Sequence, residues 1–85
     1  MPYSLQFTSN AKKQIRGISK DKRFQIKLQS LLDAILIDPY SGIGKPEQLK
    51  YFKDNRWSRR IDQKNRLVYS VVAPDIIVIS IIGHY

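Results

Sequence analysis

The chain has 85 residues and no cysteine, so it is expected to form one domain spanning residues 1–85, with no disulfide and no thiolate metal site. Fifteen Lys and Arg against seven Asp and Glu give a net charge of +8, which calls for a polyanionic partner: nucleic acid, an acidic protein or an anionic membrane surface. No signal-peptide pattern opens the chain and its longest apolar run is far too short to span a bilayer, so no membrane span is expected; the absence of cysteine suits a reducing cytosol, and a cytoplasmic protein is expected. A domain this small buries only about 60–65% of its unfolded surface, so a covering partner adds stability.

Tyr3, Leu5 and Phe7 alternate with Ser4 and Gln6, the period of a half-buried strand. Thr8, Ser9 and Asn10 are three candidate N-caps for a short helix that ends near Gly17. A second helix is predicted from Lys20 to Ile37, with Phe24, Leu28, Leu31, Leu32, Ile35 and Leu36 on one face. Asp38-Pro39 stops it, because proline disfavours helix in the residue before it. A basic helical hairpin of this kind can bind DNA, although solvated outer faces are the commoner explanation. Tyr40 to Pro46 reads as a loop. Strands are predicted at Gln48–Tyr51, Trp57–Ile61, Leu67–Val72 and Ile76–Ile82, with short turns that favour antiparallel meanders. The expected architecture is α+β, in the order β-α-α-β-β-β-β, with an antiparallel sheet packed on the helices.

Charge concentrates in the second half. Between Lys45 and Arg66 lie eight basic and three acidic residues, a local charge of +5. Four motifs fall in the same half: GKPEQLK at Gly44–Lys50, WSRRI at Trp57–Ile61, RLVYSV at Arg66–Val71, and the closing Gly83-His84-Tyr85. In order and spacing they resemble the RelE/YoeB toxin superfamily, its YoeB branch in particular, over nearly half the chain. The first forty residues match only as strand, helix, helix. Asn55 stands where a glycine is common before the Trp, and Asn65 where a histidine often precedes the Arg. Both fall in turns, where Asn tolerates left-handed backbone angles.

The resemblance implies a RelE-like fold and the toxin of a type II toxin–antitoxin system. It implies a ribosome-dependent endoribonuclease that cuts messenger RNA in the A site with no metal and no cofactor. The RNA 2′-hydroxyl attacks the adjacent phosphate, so the enzyme must supply a base, an acid and positive charge. These roles carry over onto Glu47, His84 and Arg66. The neighbouring Lys45 and Lys50 favour the carboxylate form of Glu47 that a base needs. Histidine, with an ordinary pKa of about 6.5, serves as an acid when a carboxylate keeps it protonated. Arginine stays charged and presents a fork matched to phosphate. RNA or ribosome contacts are further expected at Lys45, Lys50, Arg59, Arg60 and Tyr85. Arg60 alternates away from Trp57 and Ile61 and so faces the opposite side. Arg59 shares a face with Trp57, so packing over that ring competes with an RNA contact. Trp57 reads as core, and Tyr51 and Tyr69 as sheet residues with base stacking as the alternative.

The partners so implied are an acidic antitoxin of the YefM/Phd kind, the ribosome and its messenger RNA, operator DNA only through the antitoxin complex, and no membrane. A homodimer stays open. Two further functions compete. A non-catalytic RNA- or ribosome-binding module would have no need for Glu47 among so many cations, where it costs phosphate affinity. A DNA-binding helical hairpin is disfavoured because the densest charge lies in the strand half.

Overall fold

Thr8 starts the first helix: its side chain accepts a hydrogen bond from the Ala11 N–H at 3.0 Å. Asp21 does the same for the second, accepting from the Phe24 N–H at 3.1 Å. These caps satisfy amides that have no partner inside the helix. The computed structural model describes residues 3–83. Their elements are β1 (Ser4–Phe7), α1 (Ser9–Gly17), α2 (Lys22–Ile37), β2 (Glu47–Gln48), β3 (Arg56–Arg60), β4 (Arg66–Val72) and β5 (Asp75–Ser80). The order is the expected β-α-α-β-β-β-β of an α+β fold. The differences are at the edges. The second helix starts two residues later than expected, and β2 is the pair Glu47–Gln48, so Tyr51 lies in a turn outside the sheet.

The five strands lie in the order β1-β5-β4-β3-β2. The last four form the expected antiparallel meander, but β1 joins the far edge parallel to β5. Leu31, Ile35, Leu67, Tyr69, Ile76, Val78 and Ile81 are fully buried between the helices and one face of the sheet. Trp57 is partly buried against this core and tilts against Tyr40, with ring centroids 5.1 Å apart. Among the described residues no helix is long and apolar enough to cross a membrane.

One core-facing residue is charged. Arg59 follows the alternation of Trp57 and Ile61 into the interior, where it is 0% exposed. Its Nε–H donates to the Tyr69 hydroxyl at 3.0 Å and its Nη1–H to the Ile43 carbonyl at 2.9 Å. Nη2 donates to the carbonyls of Asp38 at 2.8 Å and Ser41 at 2.7 Å. The Tyr69 hydroxyl in turn donates to the Pro39 carbonyl at 2.6 Å, and burial pushes the phenol's pKa up, so it stays a neutral donor. The expectation that Arg59 contacts RNA is therefore corrected: the guanidinium is buried and commits four of its five donors to Tyr69 and the 38–43 loop, so it does not reach a phosphate at the surface. Nor does it cover Trp57; the ring beneath it is that of Tyr69, 5.9 Å away.

Lysine cannot reproduce this fork. Arg59→Lys leaves the part-buried loop carbonyls and the buried Tyr69 hydroxyl short of donors, so the expected loss of stability is about 1–3 kcal/mol. Urea unfolding followed by circular dichroism checks it. A loss below about 1 kcal/mol would show that the network is dispensable.

Candidate active site

The 38–43 loop that Arg59 holds leads directly into the GKPE segment. Gly44 has φ +86°, and a Cβ there would lie 2.6 Å from Leu31 Cδ2 and 3.1 Å from Arg59 Cβ, so both backbone angle and space demand glycine. Its carbonyl accepts the Arg60 N–H at 2.7 Å, which fastens the segment to the end of β3. Lys45 takes a left-handed angle (φ 51°), alone among the described non-glycine residues, and turns the chain into β2. Glu47 then pairs with Ser58, and Gln48 with Trp57.

Register shows which side chains share a face, because directly paired residues point the same way. Glu47, Ser58 and Val68 form one row across β2, β3 and β4, and Val68 is paired onward with Ser80. Arg60 pairs with Arg66 in the row beside it. Both rows lie on the face away from the helices, since the core-facing set is Trp57, Arg59, Leu67 and Tyr69. Strand spacing and rise put the Cα atoms of Glu47 and Arg66 about 12 Å apart. Long side chains reaching in from each end span that gap. Glu47, Arg60, Lys45 and Lys50 are exposed and Arg66 is half-buried. Among the described residues no hydrogen bond or ion pair engages the side chains of Glu47, Arg60 or Arg66, whereas Arg56 is paired with Asp54 at 3.2 Å. Ser58 and Ser80, in the Glu47 row, carry buried hydroxyls with no partner among the described residues.

His84 and Tyr85 lie outside the described residues. The last described one, Gly83, is tied to the site twice. Its carbonyl accepts the Arg66 N–H at 2.7 Å, and its own N–H donates to Asn65 Oδ1 at 2.9 Å. Asn65 thus uses its side chain rather than a left-handed backbone, and so does Asn55. Asn55 Oδ1 accepts the Trp57 indole N–H at 2.8 Å, and Nδ2 donates to the Tyr40 hydroxyl at 3.0 Å. The two departures from the family pattern are hydrogen-bonded parts of the frame. The structure therefore brings Glu47, Arg60 and Arg66 to one face of the sheet, and sets Arg59 inside. Among the described residues, no three His, Asp or Glu side chains are grouped as a metal site.

Fold and face together define a small α+β protein with helices behind its sheet and a front on which Glu47 shares a face with Arg60 and Arg66. The chain belongs to the YoeB-like toxins of bacterial type II toxin–antitoxin systems, whose family model matches residues 9–85. It is 45% identical over 65 residues to the toxin YoeB of Synechocystis sp., covering 76% of each chain. It superposes on the YoeB dimer from Staphylococcus aureus with a TM-score of 0.88 at 34% identity, covering 98% of both chains. A heterotetrameric YoeB–YefM toxin–antitoxin complex from the same organism matches with a TM-score of 0.86, again at 34% identity and 98% of both chains.

The loop supporting the site is sensitive to acid. The Asp38 carboxylate accepts the Tyr40 N–H at 2.9 Å and the Ser41 hydroxyl at 2.8 Å. The Tyr40 bond first, then the Ser41 bond, and further down the charge of Arg59, hold its pKa below the ordinary 3.8. A depressed folded pKa contributes stability that is complete above the ordinary value and is lost as pH falls through the folded one. Melting temperature is therefore expected to fall from about pH 5 to about pH 2, and more gently in Asp38→Asn, whose amide oxygen keeps accepting at any pH. Parallel acid limbs in scanning calorimetry would exclude this role for Asp38.

Proposed function

We propose that the chain is an endoribonuclease that cuts messenger RNA on the ribosome by attack of the RNA 2′-hydroxyl on its own phosphate. The observation that carries the reading is the convergence of Glu47, Arg60 and Arg66 on one sheet face with no internal partners among the described residues. An isolated carboxylate amid cations weakens RNA binding and is useful there as a base. In the proposed mechanism Glu47 takes the proton of the 2′-hydroxyl. Arg66, with its fork, steadies the charge that grows on the non-bridging oxygens as the phosphorane forms. His84, which follows Gly83 in the chain, protonates the departing 5′-oxygen. The products are a 2′,3′-cyclic phosphate and a 5′-hydroxyl. Arg60, Lys45 and Lys50 hold neighbouring phosphates, and Tyr85 belongs to the same contact surface. The proposed place of action is the cytoplasm.

The partner reading follows the same charge logic. A net charge of +8 suits an acidic antitoxin laid over the basic face, and the YoeB–YefM complex of Staphylococcus aureus supports such a partner here. The YoeB dimer of the same organism supports self-association in the same way.

Single-turnover cleavage on programmed ribosomes separates chemistry from binding. Glu47→Gln and His84→Gln keep size but cannot move the proton, so each is expected to slow cutting by roughly 10²–10⁴ with affinity nearly unchanged. Arg60→Ala and Lys50→Ala are expected to weaken binding and flatten its salt dependence. Arg66→Ala is expected to do both. If Glu47→Gln and His84→Gln cut as fast as the parent, the catalytic assignment fails and a non-catalytic binding module becomes the better account.

A further inference from the structure

The turn between β2 and β3 has a composition that burial does not explain. Tyr51 is 102% exposed and Phe52 is 38% exposed, although neither is forced outward by sheet alternation. The turn itself is held: the Leu49 N–H donates to the Arg56 carbonyl at 2.9 Å. The Arg56 guanidinium lies 4.1 Å from the centre of the Phe52 ring and is anchored by its ion pair with Asp54. The result is an exposed Tyr beside a Phe whose ring is stacked on a cation. Both line a cleft of about 670 Å³, together with Glu47, Gln48, Leu49 and Lys50.

Three features of this cleft favour one kind of occupant. Its volume holds a nucleobase with room to spare, and the planar side chains of Tyr51 and Phe52 in its wall are surfaces on which unpaired bases stack. Lys50, Lys53 and Arg56 give the surrounding turn the charge that a phosphate backbone needs. Above all, Glu47 belongs both to the cleft wall and to the row beside Arg60 and Arg66. A base seated in the cleft is therefore joined through its own backbone to a phosphate on the face of that row.

We infer that Tyr51 and Phe52, with Arg56 behind the Phe52 ring, form a stacking subsite for an unpaired nucleobase flanking the cleaved phosphate. It helps set where along the strand the cut falls. The inference rests on the ribonuclease reading above. Stacking strength grows with ring area, so the subsite favours purines over pyrimidines at one flanking position.

The test uses the whole chain and programmed ribosomes carrying four messengers that differ only at one flanking nucleotide, scanned on either side of the cut. Affinity is read on messengers made uncleavable by a 2′-deoxy residue, and rate on all-ribose ones. Tyr51→Ala and Phe52→Ala are expected to weaken affinity by roughly 5- to 100-fold, the range that base–aromatic stacking spans, and to flatten the purine preference. The single-turnover rate at saturation should stay within about threefold of the parent. Tyr51→Phe keeps the ring and should retain both affinity and preference. A messenger abasic at that position should bind the parent as weakly as an intact one binds Tyr51→Ala, with no further loss when both changes are combined. If the alanine variants keep the parent's affinity and preference while Glu47→Gln cuts slowly, the subsite is refuted and the ribonuclease reading stands. If they lose only affinity for an acidic antitoxin, the cleft is a protein-docking surface and the inference is likewise overturned. If Glu47→Gln cuts like the parent, the ribonuclease reading fails, while base-dependent binding still reports on the subsite by itself.

Discussion

The Arg59 guanidinium sits in the core with no solvent to screen it, and four of its hydrogen bonds determine how the chain around it must run. A buried cation is costly unless its donors are satisfied, and here the acceptors are one phenol and three loop carbonyls. The 38–43 segment has no strand or helix to satisfy its carbonyls, so it needs the arginine as much as the arginine needs it. That exchange brings Gly44 against Leu31 and Arg59 too closely for any side chain, and the next residues emerge as the β2 edge with Glu47 facing outward. The position of the proposed base is thus determined from inside the core.

The two adjacent arginines of WSRR show how one sheet divides its labour. Alternation sends Arg59 inward, to hold the loop, and Arg60 outward, beside Arg66 on the opposite face. Buried and exposed charge then serve different ends. The first fixes geometry in a low-dielectric interior, where hydrogen bonds to a charge are strong. The second stays unpaired among the described residues and adds to a positive field that attracts polyanions. The helices contribute backing and six of the thirteen residues of the apolar core, and they pack on one face of the sheet only.

Much of this was legible in the residues. Thr8 and Asp38-Pro39 mark real helix boundaries, and the α2 stripe faces the core. The alternation that sets Arg60 opposite Trp57 also places it correctly on the outer face. The same alternation carried the signal for Arg59, since a residue flanked two positions away by Trp57 and Ile61 points where they point. What alternation does not reveal is the partner: the guanidinium bonds Tyr69 and the 38–43 loop, and the Trp57 ring is not its platform. The parallel pairing of β1 with β5 has no local cue, because it joins residues about seventy apart in the chain. The outward Tyr51 was also hidden: its strand-like composition says sheet, and only the early end of β2 puts it in a turn. Asn55 and Asn65 stand in turns where a left-handed angle would be tolerated, and what they supply there is side-chain hydrogen bonds, which composition alone does not distinguish.

The central claim is that RNA provides its own nucleophile to a face that supplies a base and a cationic clamp. Its most direct measurement replaces one atom of the substrate. A messenger carrying a single 2′-deoxy residue on the 5′ side of the scissile phosphate, set in the ribosomal A site, lacks that nucleophile and nothing else. The account expects the parent protein to bind this messenger as it binds the all-ribose one and to leave that bond uncut. It expects the all-ribose messenger to end in a 2′,3′-cyclic phosphate or the 3′-phosphate formed from it. Cutting of the deoxy messenger at an undiminished rate, or a 3′-hydroxyl end on the ribose product, would contradict the account.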